Sequence, residues 1–226
     1  LIKKHYKPIL YVTLIVIFLF ILNDQYQDKK MYEEHISQKL NNDIHKVVRG
    51  IVSTYNIFDE ILDSGEITKR QANLLLHFNI DIGTITKEYV MLAVDLNRLN
   101  ISNFNNEAHN NSLEIFSFLF ALTNGEEYKL EELDDTLIVL DSELNETIGY
   151  LRELHFDWIK AAEKNTSGVT INENLARLDG NEFFSFCGED SVSKKFWVNL
   201  IVDLDEQTTK FLNKYEIDNI EEILYN

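Results

Sequence analysis

Six histidines, one cysteine and 38 carboxylates are the side chains through which this 226-residue chain would have to do chemistry. His5, His35, His45, His77, His109 and His155 form no His-x-x-x-His or Glu-x-x-His pair, the spacings that project two metal ligands from one helical face. His155 adjoins Asp157 and Trp158 at the end of an apolar stripe, where a satisfied core histidine is the expected reading. Cys187 stands alone, which rules out an intrachain disulfide and any Cys-based metal or redox motif. It follows Phe183, Phe184 and Phe186, a setting for a small buried hydrophobe rather than a nucleophile, which needs a cationic and partly exposed site.

Asp63-Ser64-Gly65-Glu66-Ile67-Thr68 has the glycine and isoleucine of the second half of an EF-hand loop. With Gly65 at the sixth loop position, however, Leu62 falls at the third and Gln71 at the twelfth, and neither supplies the carboxylate calcium needs there. A capped turn between helices is expected instead. The eight glycines are scattered, with no phosphate-cradling loop and no Gly-x-Ser-x-Gly turn. In so acidic a chain, paired carboxylates carry no information about mechanism. No cofactor, metal or catalytic activity is expected on these grounds. The acidic run from Glu126 to Glu146, with Glu131, Asp134 and Asp135 at its centre, is the candidate surface for divalent cations or a basic partner, and a solvated helix face is the plainer reading.

The net charge of −17 is unevenly spread. Residues 1–30 carry five lysines against two aspartates, leaving −20 on residues 31–226. Such a body repels phosphate backbones, so nucleic-acid binding is not expected, and basic partners are favoured.

Ile9 to Leu22, ILYVTLIVIFLFIL, is fourteen residues without a charge. As a helix it spans about 21 Å, and about 27 Å from Tyr6 to Asn23, close to the thickness of a bilayer's hydrocarbon. Lys3, Lys4 and Lys7 precede it and Asp24 and Asp28 follow, which places the N-terminus in the cytoplasm by the positive-inside rule. A cleaved signal peptide needs small residues at the cut, and none occurs between Asn23 and Ser37. The expected layout is a cytoplasmic basic tail (1–8), a single-pass signal anchor in the cell membrane (9–23), a juxtamembrane stretch (24–35) and an extracytoplasmic acidic domain (36–226).

That domain reads as all-α. Apolar residues recur every three or four positions from Ile36 to Leu62, ending at Asp63-Ser64-Gly65. Thr68 and Gln71 form a capping box for a second helix through Leu99. Seven asparagines between 97 and 111 mark a solvated turn, followed by a brief helix from Leu113 to Leu122. A third long stripe runs from Leu130 to Trp158, and a fourth from about Ser191 to Tyr215. Asp218 is the expected cap of a terminal helix with Ile220, Ile223 and Leu224. Four long stripes predict an antiparallel four-helix bundle. Gly50, Gly83 and Gly149 inside them argue against a long coiled-coil dimer and for close helix approach.

Residues 166–190 do not fit the bundle pattern. They contain some helical character at Glu173–Leu178 and the block Phe183, Phe184, Phe186 between Gly180 and Gly188. Long connections are often functional. The phenylalanines are expected either to plug one end of the bundle or to form a partner-binding edge. The function expected is a membrane-anchored, non-catalytic interaction module or a subunit of an envelope complex. An immunity-type inhibitor of a basic partner and an envelope enzyme are the alternatives.

Overall fold

After Pro8 no proline interrupts the chain, and the computed structural model, which describes residues 6–123, 135–172 and 175–225, opens on one uninterrupted α-helix, α1 (Tyr6–Ser64), of 59 residues. At 1.5 Å per residue it is about 88 Å long. The apolar span, the juxtamembrane stretch and the first body helix, separated in the sequence by charge alone, are one rod. Almost every residue from Leu10 to Ile36 is exposed, and the stretch at its start is long and apolar enough to cross a membrane. From Ser37 onward the rod enters the body, burying Leu40, Ile44, Val48, Ile51, Tyr55 and Phe58.

Gly65, at φ +73°, ends α1, its N–H closing on the Ile61 carbonyl at 2.9 Å. A short strand, β1 (Glu66–Thr68), leads to α2 (Lys69–Asp95), whose capping box is formed: the Gln71 N–H donates to Thr68 Oγ1 at 3.2 Å and the Thr68 N–H to Gln71 Oε1 at 3.0 Å. Contacts at Lys39–Glu88 near one end and Glu60–Gln71 near the other make α1 and α2 antiparallel. A Cβ on Gly50 would lie 3.3 Å from the Ile82 side chain, and one on Gly83 3.2 Å from Leu113, so both glycines permit the expected close approach. Gly149 faces open space and does not.

The asparagine-rich stretch is less solvated than its composition predicts. A 3-10 turn at Ile101–Asn103 precedes α3 (Glu107–Leu122), which begins six residues before the expected start and takes Asn110 and Asn111 into the helix. Asn111 is buried and accepts the Ile220 N–H at 2.9 Å. Asn106 makes no side-chain cap. The cap comes instead from Asp205, whose carboxylate accepts the Glu107 N–H and, at 3.4 Å, the Ala108 N–H. Burial holds the Asp205 carboxyl above its ordinary pKa despite those bonds. Replacing Asp205 by alanine is expected to cost about 1–2 kcal/mol, by the usual value of an N-cap. Asparagine, which keeps an acceptor, should recover most of it, as read from urea midpoints of the purified chain.

The third stripe is not one helix. Thr136–Val139 is a strand, β2, antiparallel to β1 with Ile67 opposite Ile138 and a bulge beside Thr68. The β-branched Thr136, Ile138 and Val139 favour extended backbone, and Asp141 then starts α4 (Ser142–Asn165) by accepting the Leu144 N–H at 2.8 Å. Leu130 and Leu133 lie outside the described residues.

The described residues of segment 166–190 are also mostly in regular elements. They form a hairpin of β3 (Val169–Asn172) and β4 (Leu175–Leu178), then α5 (Gly180–Cys187). Where helical character was expected at 173–178, Leu175–Leu178 is strand because the segment docks on α1, and residues 173 and 174 lie outside the described residues. The Asn56 side chain bonds both polar groups of Ala176, donating to its carbonyl at 2.9 Å and accepting its N–H at 3.0 Å, as a neighbouring strand would. Asn56→Ala strands that pair and should cost about 1–3 kcal/mol. An unchanged urea midpoint, with no faster exchange of the Ala176 amide, would contradict this.

A second 3-10 turn, Ser191–Ser193, precedes α6 (Phe196–Tyr215), five residues shorter at its start than expected. In the last helix, α7 (Glu221–Leu224), Asp218 is not the cap: Asn219 accepts the Glu221 N–H, while the Asp218 N–H itself donates to Glu222. The described residues are thus mainly helical, with two two-stranded sheets that the all-α expectation omitted.

The long helices pack in antiparallel pairs: Arg152–Asp59 and His155–Phe58 join α4 to α1, Trp158–Thr208 and Glu153–Lys214 join α4 to α6, and Tyr89–Trp197 joins α2 to α6. α3, expected to be minor, packs on both α2 and α6. Trp158, Trp197, Phe58 and Phe211 are fully or almost fully buried at the centre.

Candidate functional site

α5 is positioned by its ends. Asp179 caps it, accepting the Asn181 and Glu182 N–H groups at 2.9 and 3.1 Å. Across the base of the hairpin Gly168, between α4 and β3, has φ +85° and accepts the Asp179 N–H at 2.8 Å, and a Cβ there would sit 2.5 Å from the Asp179 carbonyl, so no other residue fits against that junction. At the far end Gly188, at φ +71°, turns the chain away, and its carbonyl accepts a hydrogen bond from the Asn41 amide of α1 at 2.8 Å. Lys194 donates to the Cys187 carbonyl, also at 2.8 Å. The helix is tied at its C-terminal end to α1 and at its N-terminal end to the junction of α4 with β3.

Eight residues make just over two turns, and their spacing decides which side chains face inward. Phe183 and Cys187, four apart, share the buried face. Burial pushes the Cys187 thiol up to about 11, with Lys194 opposing, so it is un-ionised and unreactive at neutral pH. Phe184 and Phe186 are each 41% exposed. The ring of His45 on α1 stacks on Phe184 at 4.9 Å and meets Phe183 edge-on at 5.3 Å, while Phe186 packs edge-on against Phe196 at 5.3 Å. Burial, reinforced by the Arg49 charge, holds the His45 imidazole below its usual pKa, so a neutral ring backs Phe184 at neutral pH. Phe183 is thus buried, while Phe184 and Phe186 remain partly exposed. What this surface can do chemically is offer two supported aromatic faces to an apolar or aromatic partner group.

The acidic candidates lie elsewhere. Glu131 and Asp134 fall outside the described residues. Asp135 is exposed at the opposite end of the body, where its carbonyl accepts the Lys69 N–H at 3.0 Å and its carboxylate lies 3.5 Å from Lys69 Nζ. It is a tie holding β2 at the start of α2. Nineteen residues of α1, about 28 Å, separate His45 from that end, so the phenylalanines and Asp135 form no common site.

The C-terminal end of the acidic run read from the sequence, at Glu143 and Glu146, opens into a cleft that the sequence did not show. A cleft of about 300 Å³ between α4, α6 and α7 is lined by Glu143, Glu146, Tyr150, Tyr215, Ile217 and Glu222, among others. Its tyrosines engage carboxylates: Tyr150 donates to Glu146 and Tyr215 to Glu153, both at 2.6 Å. The four-residue spacings 143–147 and 146–150 were visible in the sequence, but the approach of Tyr215 and Glu222 from other helices was not. Among the described residues, no three His, Cys, Asp or Glu side chains converge to hold a metal ion. No known family, curated protein or solved structure matches the chain.

Proposed function

We propose that this protein is a single-pass, membrane-anchored interaction module with its N-terminus in the cytoplasm and its acidic helical body outside. In this reading α1, α2, α4 and α6 act as an antiparallel four-helix-bundle-like scaffold, with α3 as an added layer. The body works without catalysis, as a regulatory or structural subunit of an envelope complex. The observation that carries the binding role is the pair Phe184 and Phe186, half-exposed on a short helix pinned at both ends. Two large aromatic side chains held out on rigid backbone lose little conformational entropy when a partner covers them, which suits an interface anchor. The exposed stalk of α1 from Asp24 to His35 sets the height of that surface, about 30 Å beyond Leu22 at the level of residue 42. The net charge favours a partner with a basic rim.

The test is a photo-crosslinking amino acid placed at 184 in cells, with Glu163 on the outer face of α4 as the comparison position. A discrete adduct from 184 alone, lost in the Phe186→Ser background while the chain remains folded, is expected. Equal labelling at both positions, or an adduct that survives Phe186→Ser unchanged, would remove the case for this surface.

A further inference from the structure

We infer that His155 is an acid-sensitive joint at the centre of the body, where protonation of Nε2 loosens α4 from α1 and α6. The imidazole is completely buried. Nδ1 lies 2.8 Å from the Leu151 carbonyl, so it carries the proton of the neutral ring, and Nε2 is a bare acceptor without a partner. The surroundings are aromatic: Phe58 of α1 meets the ring edge-on at 5.4 Å and Trp158 at 4.6 Å. A proton added at Nε2 would create a buried cation whose new N–H has no acceptor, an arrangement tolerated only if the packing opens to water.

Among the described residues, no neighbouring charge is placed to compensate. On α1, Tyr55 and Asp59 are engaged by Arg152, at 2.9 and 2.7 Å. On α6, Asp203 is held by Lys164 and Asn165, while Lys214 and Tyr215 are held by Glu153. On α4 itself Asp157 pairs with Lys160. The residues of β3 carry no titratable group, and α7 brings Glu221 and Glu222 only to the far end of α4, beside Thr147. Burial accordingly depresses the imidazole to about 4 from an ordinary 6.5, the Leu151 bond opposing.

Because the folded value is the lower one, the unfolded chain binds the extra proton first. Stability is fully present above pH 6.5 and falls as pH drops toward 4. The depressed His45 acts in the same direction, whereas the raised Glu107 and Asp205 act in the opposite one. Since α1 runs unbroken from the apolar span into this contact, loosening α4 also changes how the body is held on its anchor.

The experiment uses the full chain in detergent micelles, with urea unfolding followed by circular dichroism from pH 7 to pH 4. Between those limits the unfolding equilibrium constant of the wild type is expected to rise about a hundredfold. His155→Gln should remove most of that rise, and His109→Gln, at the other buried histidine, should retain it. Parallel curves for wild type and His155→Gln would overturn the inference. If His155→Gln does not fold, the ring proton resonances of His155 in the wild type decide: no titration above pH 5 in the folded state is expected, and a midpoint near 6.5 with the fold intact would overturn it.

Discussion

Replacing Trp158 by alanine is expected to destabilise the body by about 3–5 kcal/mol, the range for removing a buried tryptophan. Trp158 is fully buried where α4 meets α6, its indole N–H donating to Thr208 Oγ1 at 2.9 Å. Thr208 still donates to the Leu204 carbonyl at 2.8 Å in the variant, so the loss comes from the cavity and from one hydrogen bond rather than from an orphaned donor. Domains of this size are stable by about 5–15 kcal/mol, and the substitution would remove a large share of that. Trp158→Phe, which keeps most of the volume, should cost much less. Urea midpoints of the detergent-solubilised chain measure both. A Trp158→Ala loss under 1 kcal/mol would show that α4 and α6 do not pack as described.

The second large effect concerns the anchor. Twelve of the fourteen residues from Ile9 to Leu22 are Leu, Ile, Val or Phe. At roughly 0.3–0.6 kcal/mol each they favour insertion by about 4–7 kcal/mol, whereas two aspartates near the centre oppose it by about 5–7 kcal/mol. The double variant Val16→Asp with Leu19→Asp should therefore cross the balance and leave the chain uninserted, while Val16→Ala with Leu19→Ala should remain in the membrane. Alkaline carbonate extraction separates the cases. The wild type and the alanine variant are expected in the pellet, the aspartate variant in the supernatant. Equal pelleting of all three would show that residues 9–23 do not hold the protein in the bilayer.

The helices whose signals lie within their own residues were legible in the sequence. The stripe from Leu40 through Phe58, the stop at Gly65 and the capping box of Thr68 and Gln71 all appear in the structure. The misreadings have a common physical source, which is that a distant partner decides the local conformation. Leu133, Leu137, Leu140 and Leu144 keep helical spacing, yet Thr136–Val139 pairs with a strand about seventy residues earlier. α3 begins early because Asp205, far along the chain, caps it. β4 is a strand because Asn56 offers it the polar groups of a neighbour. At α5 the block of phenylalanines was visible, but which of them faces inward depended on how the helix docks, with Phe183 and Cys187 on the buried face. The stacking of His45 on Phe184 depended on α1 passing beside α5, which no local pattern encodes.

We propose a rod that crosses the membrane once and carries an acidic body outside, and protease accessibility tests this most directly. Intact cells, or protoplasts freed of their wall, carry the 226-residue chain with an epitope before residue 1 and are treated with an impermeant protease. The expected result is digestion of the body from Ser37 onward in sealed cells, with the N-terminal epitope and the span recovered as a protected fragment. A body that stays whole until the cells are lysed would contradict the claim.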